Sequence, residues 1–462
     1  MRIIHFGTQG WRARANDGFD ESSVVRIADA LGQSWARYHS GSTVKVGYDT
    51  RLGSRHLALI AGQTIAARGM RVVVSDRACP SPALCLAVAS DPGCVGGVVI
   101  TASEAPREYG GLLVRQHDGG PVSRPFASLV DRLIAPSPTT DRKDVEFGDF
   151  MTAYLDALVE AADTALIGRC RPRVVVDPMY GADVGIAGAL LERVGCEVMA
   201  IHDEIRPDFR GLHPNPIEPW VDECEQAVVR YGADLGLVFG GGGERLGIVD
   251  GTGRLLSTHD IAPLVLEYLV RYRGRSGRVV TTLDCSLRTS LMAERLGCDV
   301  TMTPVGYLAL RQEMSDDGAL LAVDGRGGVA PGNWMAGRDG LWAALMCLGL
   351  ACELGGARHL SGRVEKTVGT LRYGSRNLRM DEASVQRLRI LLPGMNPQEV
   401  AGLKPLAVSH CDGLRVSLSG PAWLLVRPSR AYSVVRASAE APTEDLLADL
   451  LAQAPILCSA RP

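Results

Sequence analysis

Lysine is nearly absent from this chain. Lys45, Lys143, Lys366 and Lys404 are the whole complement in 462 residues, so ammonium groups for acid–base or Schiff-base chemistry are few and arginine must carry the positive charge. Aromatic residues are also sparse, at 5%. Basic and acidic side chains nearly cancel, 49 against 52, for a formal net charge of -3. That balance excludes the large one-signed field that nucleic acid or an anionic membrane would need. No Cys-x-x-Cys pair or nearby histidine pattern organises the 12 cysteines, so buried free thiols in a reducing compartment are expected. No segment approaches the length of an uncharged membrane span, and the opening "MRIIHFGTQGWRAR" has no signal-peptide apolar core. A soluble, cytoplasmic protein is the expectation, with a small molecule or another protein as its partner.

What is present is a repeated beat of strand and helix. Short β-branched runs recur, among them "TVKVGYD" at Thr43, "RVVVSD" at Arg71, "GGVVITAS" at Gly96, "RVVVDPMYG" at Arg173, "LGLVF" at Leu235 and "RVVTTLD" at Arg278. Helical periods such as "HLALIAGQTIAARG" and "GIAGALLERVG" fill the gaps and close on glycine, the pattern of parallel sheets wrapped by helices. The linker "APSPTT" at Ala135 ends the first unit, and an amphipathic helix follows from Asp149, with Met151, Tyr154, Leu155, Leu158 and Val159 on one side. Two phrases, "VVVDPMYGADVGIAGALLERVGCEV" and "VVTTLDCSLRTSLMAERLGCDV", read as internal duplicates. After "ELGGARHLSG" the polar and apolar residues mix more evenly, which suits an antiparallel sheet with helices on one face. The expected fold is α/β with four domains: three related mixed α/β sheet domains over 1–140, 149–256 and 257–358, and a C-terminal α+β domain over 361–462.

"LVFGGGGERLGIVD", from Leu237 to Asp250, places four glycines between two buried strands. Such a run costs backbone entropy and supplies no side chain. It reads either as an anion-binding nest of consecutive amides or as a plain flexible turn, with the Walker lysine and Rossmann spacing both missing.

Several motifs, in order along nearly the whole chain, resemble those of the α-D-phosphohexomutase family. "FGTQGWR" is similar to its N-terminal Phe-Gly-Thr-Ser-Gly-x-Arg, "GYDTR" to its Gly-x-Asp-Thr-Arg, and "VVITASEAPREYGGLLV" to its phosphoserine loop. "HPNPIEP", "TPVGY", "GRDGLWAAL" and "RPSRAYSVVRASAE" also fall where family signatures fall. The resemblance implies phosphoryl transfer between an active-site serine, here Ser103, and a hexose phosphate, with a divalent cation neutralising the phosphoryl oxygens and arginines holding the remote phosphate.

The residues that would carry this chemistry have changed. Aligned on Arg245, the family's Asp-Gly-Asp-x-Asp-Arg metal loop places Gly240, Gly242 and Glu244 at its three aspartates. A hard cation needs charged oxygens, so this is a metal loop stripped of ligands. The His-Asn-Pro after the serine has become Glu104, Ala105 and Pro106, and Leu113 and Leu308 stand where lysines are expected. The sugar-binding Gly-Glu-x-Ser-Gly-His has become "DGRGGV", with Gly325, Arg326 and Gly327 at its centre and Val329 at the histidine, leaving no visible donor or acceptor for a pyranose hydroxyl pair. In the last loop Arg427, Pro428, Ser429 and Arg436 persist, while Gly-Thr-Glu-Pro is replaced by Arg430, Ala431, Tyr432 and Ser433.

Ser103 therefore reads as phosphoacceptor or as an ordinary loop serine, and Arg12 and Arg245 as ligand contacts or as bridges between domains. The resemblance with these losses implies a phosphohexomutase-like protein whose Mg-dependent mutase activity is lost or altered, keeping a cleft for a sugar phosphate or related ligand. Catalytic candidates are Ser103, Arg12, Glu104 and Arg245; phosphate contacts are Arg427, Ser429 and Arg436. No cofactor is expected, with Mg²⁺ entering only if the stripped loop still binds it. The alternatives are an active phosphomannomutase- or phosphoglucomutase-type enzyme, or metal-independent chemistry on a sugar phosphate.

Overall fold

A computed structural model describes residues 4–15, 17–314, 318–332, 334–429 and 433–459. The chain forms two compact units, one of Met1–Gly274 with Gly328–Ser361 and one of Arg275–Gly327 with Gly362–Pro462. Three α/β domains and a C-terminal antiparallel sheet make up the architecture, as the strand–helix alternation predicts. All twelve cysteines are free thiols. Among the described residues no single helix is long and apolar enough to cross a membrane.

The first unit contains two sheets. In the larger, the strands run in the order Gly10–Arg14, Tyr109–Gln116, Cys94–Ile100, Thr43–Tyr48, Arg71–Ser75 and Glu146–Gly148. The last four are mutually parallel, and Tyr109–Gln116 returns antiparallel against Cys94–Ile100. Helices cover both faces, which is why the central strands are continuous apolar runs. The smaller sheet pairs Leu246–Asp250 antiparallel with Leu235–Phe239, which lies parallel to Arg173–Asp177, itself parallel to Glu197–Ala200. "LGLVF" is buried at all five positions. The helix Met151–Ala161 buries Met151, Tyr154 and Leu158, as its 3.6-residue period requires. It packs on the apolar helix Gly340–Glu353, whose first turn is capped by Asp339 accepting from the Trp342 amide.

Three loops of this unit leave the carboxyl ends of parallel strands: residues 49–53 after Thr43–Tyr48, 101–108 after Cys94–Ile100, and 240–245 after Leu235–Phe239. Ligand sites of open α/β sheets are built at such strand ends.

In the second unit, Arg278–Thr282 lies between Val300–Thr303 and Ala319–Val323, all parallel. The strand–helix–strand built by Arg278–Thr282, Leu287–Arg295 and Val300–Thr303 matches that of Arg173–Asp177, Ala187–Arg193 and Glu197–Ala200, as the internal duplicate predicts. Five antiparallel strands follow, ordered Arg372–Arg379, Val434–Ala441, Ala422–Pro428, Leu414–Leu418 and Pro405–Ser409. Side chains alternate across this sheet. Leu424 and Val426 enter the core under the helices, while Trp423 and Leu425 pack on Leu283 and Leu287.

Glu440 ties the two parts of this unit together. Its fully buried carboxyl accepts from Ser286 Oγ at 2.5 Å, the Leu287 amide at 2.7 Å and Trp423 Nε1 at 3.1 Å. Glu440→Ala would leave three buried donors unpaired, so it should destabilise this unit by about 2–4 kcal/mol. Scanning calorimetry should show its melting transition falling; an unchanged profile would mean the contacts are dispensable.

Candidate functional site

The loop bearing Ser103 is held from beneath by Arg51. That guanidinium donates to Asp49 at 3.1 Å, to the carbonyls of Ser103 and Ala105 at 2.7 and 2.6 Å, and to those of Pro106 and Tyr109 at 2.9 and 3.2 Å. Asp49 also accepts from Thr101 Oγ1 at 2.6 Å, and the Ser103 amide donates to that same hydroxyl oxygen at 2.9 Å. With its carbonyl and amide pinned, Ser103 adopts a left-handed φ of 53° and is buried. Backbone strain of this kind persists where surrounding bonds over-determine it. Across from it, His213 donates through Nε2 to the Glu104 carbonyl at 2.7 Å.

The glycine run is neither an open nest nor a loose turn. The amides of Gly240, Gly241 and Gly243 are each spent on a backbone carbonyl, those of Arg245, Pro214 and Gly240. Carbonyls of Gly241, Gly242 and Gly243 accept in turn from Ala182, Ser81 and Gly340. Glycine is required because the backbone passes so close to the serine loop. A Cβ on Gly242 would lie 2.9 Å from Ser103 Oγ, and one on Gly243, whose φ is 75°, would lie 2.5 Å from Pro80 Cβ.

At the end of this turn, Glu244 meets Ser103. The serine hydroxyl donates to Glu244 Oε2 at 2.8 Å, and Arg115 donates to Oε1 at 3.1 Å, all three side chains being buried. Arg338 approaches the same Oε1 at 3.8 Å. Burial would raise the Glu244 carboxyl, but Arg338 and Arg115 outweigh it and hold the group below its ordinary value. Beside it Glu104 pairs with Arg245 at 3.7 Å. There too burial opposes ionisation, and Arg245, Arg12 and Arg338 together prevail.

Ser103, Glu104, Arg12, Arg245 and Glu244 are thus brought together in the first unit. Arg12 sits exposed at the edge, on the strand residue paired with Gly111. Arg51, Arg115, Arg338 and His213 were not among the sequence candidates. Arg115 was nonetheless discoverable: side chains alternate along a strand, so it shares a face with Leu113, the position at which the resemblance leads one to expect a lysine. The donor set does not fit a magnesium ion. Glu244 is the one carboxylate in the turn 240–245, its oxygens are taken by a hydroxyl and a guanidinium, and the neighbouring cations would repel a metal.

Behind the turn lies a second, unforeseen pair. Asp183 is fully buried with no hydrogen-bond partner on either carboxyl oxygen, and Asp339 is buried with one oxygen accepting from Tyr154 Oη at 3.0 Å and the other unpartnered. Burial, then Asp339 and Asp203, pushes Asp183 up to about 8, and burial pushes Asp339 up to about 7.

The remaining candidates lie in the second unit. Arg427 and Arg436 face each other in register on adjacent strands, Arg427 3.8 Å from Asp412 and Arg436 donating to Asn377 at 3.1 Å. Ser429 donates its amide to the Val434 carbonyl at 2.9 Å. Arg430, Ala431 and Tyr432 lie outside the described residues. In the "DGRGGV" turn, Arg326 is exposed and its amide donates to Asp324 at 2.9 Å, while Gly327 turns with φ 77°. Asp284 reaches this turn from another loop. Its carboxylate stands 2.3–2.6 Å from where a Cβ on Gly325 would be, in the space that a side chain at that position would need.

Substitutions in the turn and at the buried acid check this geometry. Gly242→Ala should cost about 1–3 kcal/mol through the clash with Ser103, whereas Gly240→Ala, with no contact nearer than 3.4 Å, should be neutral or gain up to about 1 kcal/mol; urea denaturation separates them, and equal effects would refute the packing account. For Asp183, the native carboxyl holds a proton that the unfolded chain releases, so stability should fall as pH rises from the unfolded value of 3.8 through about 8. Asp183→Asn should therefore melt above the parent at pH 8 and close to it at pH 4 when followed by circular dichroism.

Comparison with known proteins agrees with this architecture. Family models for phosphoglucomutase/phosphomannomutase α/β/α domains I, II and III match residues 4–138, 152–253 and 257–369. The chain is similar to a phosphoglucomutase/phosphomannomutase of Thermococcus kodakarensis, 27% identical over 95% of each chain. A protein of Methanothermobacter thermautotrophicus named "probable phosphoglucosamine mutase" is 29% identical, with 95% of this chain and 94% of that one covered. A solved structure of a phosphomannomutase-type protein from Thermus Thermophilus superimposes with a TM-score of 0.86 at 26% identity, over 99% of this chain and 100% of that one. With three consecutive domains matched in order, this chain belongs to the α-D-phosphohexomutase family of phosphoglucomutases and phosphomannomutases.

Proposed function

We propose that this protein binds a phosphorylated sugar, or a closely related anionic metabolite, at the Ser103 loop and does not run the Mg-dependent mutase cycle. One observation carries the reading: the carboxylate that the relatives' loop pattern reserves for metal is committed here to Ser103 and Arg115. The surrounding charge supports it. Arg12, Arg51, Arg115, Arg245 and Arg338 outnumber Asp49, Glu104 and Glu244 by two, an excess that suits a phosphate dianion. Arg427 and Arg436 form a second pair of guanidiniums for an anion in the other unit. On this reading the stretches 1–140, 149–256, 257–358 and 361–462 supply in turn the serine loop, the altered metal loop, the sugar loop and the phosphate loop.

A second reading is favoured by the contact between Ser103 and Glu244. A hydroxyl donating to a carboxylate at 2.8 Å has the geometry of a nucleophile with its base. Against it, Arg338 and Arg115 depress the carboxyl and weaken it as a proton acceptor.

The test is mass spectrometry for phosphate on Ser103, combined with a coupled mutase assay on glucose 1-phosphate and mannose 1-phosphate with Mg²⁺. No phosphoserine and no turnover are expected. Thermal melting with either sugar phosphate should rise by about 2–4 °C per kcal/mol of binding linkage, and Arg245→Ala should remove most of that rise. Turnover with a phosphorylated Ser103 would overturn the reading.

A further inference from the structure

Resting on that reading, we propose that Arg115 and Arg338 replace the divalent cation: they hold the anionic oxygens of a phosphate at Ser103 without metal, and Glu244 occupies their site until such a phosphate displaces it. The geometry around Glu244 is that of an oxyanion receptor. A hydroxyl donor and two guanidiniums converge on one anionic group, at 2.8 Å from Ser103, 3.1 Å from Arg115 and 3.8 Å from Arg338. Arg–phosphate and Arg–carboxylate contacts use the same planar fork, so a site that holds one holds the other.

Arg115 is fixed in place, as a substitute for a bound ion must be. Its Nε donates to Cys85 Sγ at 3.3 Å, one terminal nitrogen to the Val114 carbonyl at 3.1 Å, and the other to Glu244. Only the third of these partners is charged. Three aspartates around a divalent cation carry one net negative charge; here Arg115, Arg338 and Arg245 face Glu244 and Glu104, which leaves one net positive charge. An incoming phosphate dianion is therefore drawn to this site and a divalent cation repelled, the reverse of a metal loop. Arg338, Arg245 and Glu104 are mostly buried but keep 14%, 10% and 19% of their side chains exposed, so solvent reaches the receptor along their edge.

Isothermal titration with inorganic phosphate and, separately, glucose 1-phosphate tests this, each in EDTA and in Mg²⁺. Both ligands should bind in EDTA, with affinity unchanged within about twofold when Mg²⁺ is added. Removing a charge-assisted contact should weaken binding about tenfold or more in Arg115→Gln and in Arg338→Gln. Glu244→Gln, which lifts the competing anion, should tighten it. Should Arg115→Gln fail to fold, Arg338→Gln on its part-exposed side chain carries the same test. A requirement for Mg²⁺, or affinity for glucose 1-phosphate that survives both arginine changes, overturns this inference while leaving sugar-phosphate binding standing. Wild-type protein that binds neither ligand overturns both.

Discussion

A buried carboxylate needs partners, and the pairing of Glu244 with Ser103 and Arg115 is the contact on which the rest of this site depends. Left alone, an ionised glutamate at that depth would be expelled or protonated. With a hydroxyl on one oxygen and a guanidinium on the other it stays ionised, and Arg338 adds to the effect. The glycine turn must come very near the serine loop for this to happen. That approach explains the glycines: any side chain on Gly242 would collide with Ser103.

The serine loop is equally constrained from its own side. Arg51 donates to four carbonyls around it and to Asp49, so the loop backbone is held independently of any ligand. Sheets and helices beneath pack through their own apolar side chains, so the scaffold stands apart from the chemistry of the loops it carries. In the second unit, Gly325 likewise leaves a space that the Asp284 carboxylate fills from a neighbouring loop, beside the turn's own Asp324.

Around the glycine turn, burial and neighbouring guanidiniums decide the charge of four acids. Glu104 and Glu244 both stay ionised because arginines surround them, whereas Asp183 and Asp339, behind the turn, are driven by burial towards their neutral forms. Two acids at the serine loop are thereby kept as anions, while two in the packing behind it are shifted towards protonation.

Much was legible in the sequence. Alternating β-branched runs and helical periods determine the α/β order, the internal duplicate and the final antiparallel sheet, because local periodicity reports which face of each element is buried. The motif residues Ser103, Glu104, Arg245 and Glu244 were likewise visible as a set, as was the glycine at 240 and 242 where the resemblance leads one to expect aspartates. The side chains that meet them were not. Arg115 reaches Glu244 across 129 positions of chain and Asp284 meets Gly325 from a separate loop, contacts that no local spacing encodes. Neither the rigid packing of the glycine run nor the burial of Asp183 leaves a periodic signature either. Sequence alone determined which elements form and which residue types stand in the motif loops; only the tertiary structure decided which distant side chains meet there, because that depends on how close two loops come once their sheets have packed.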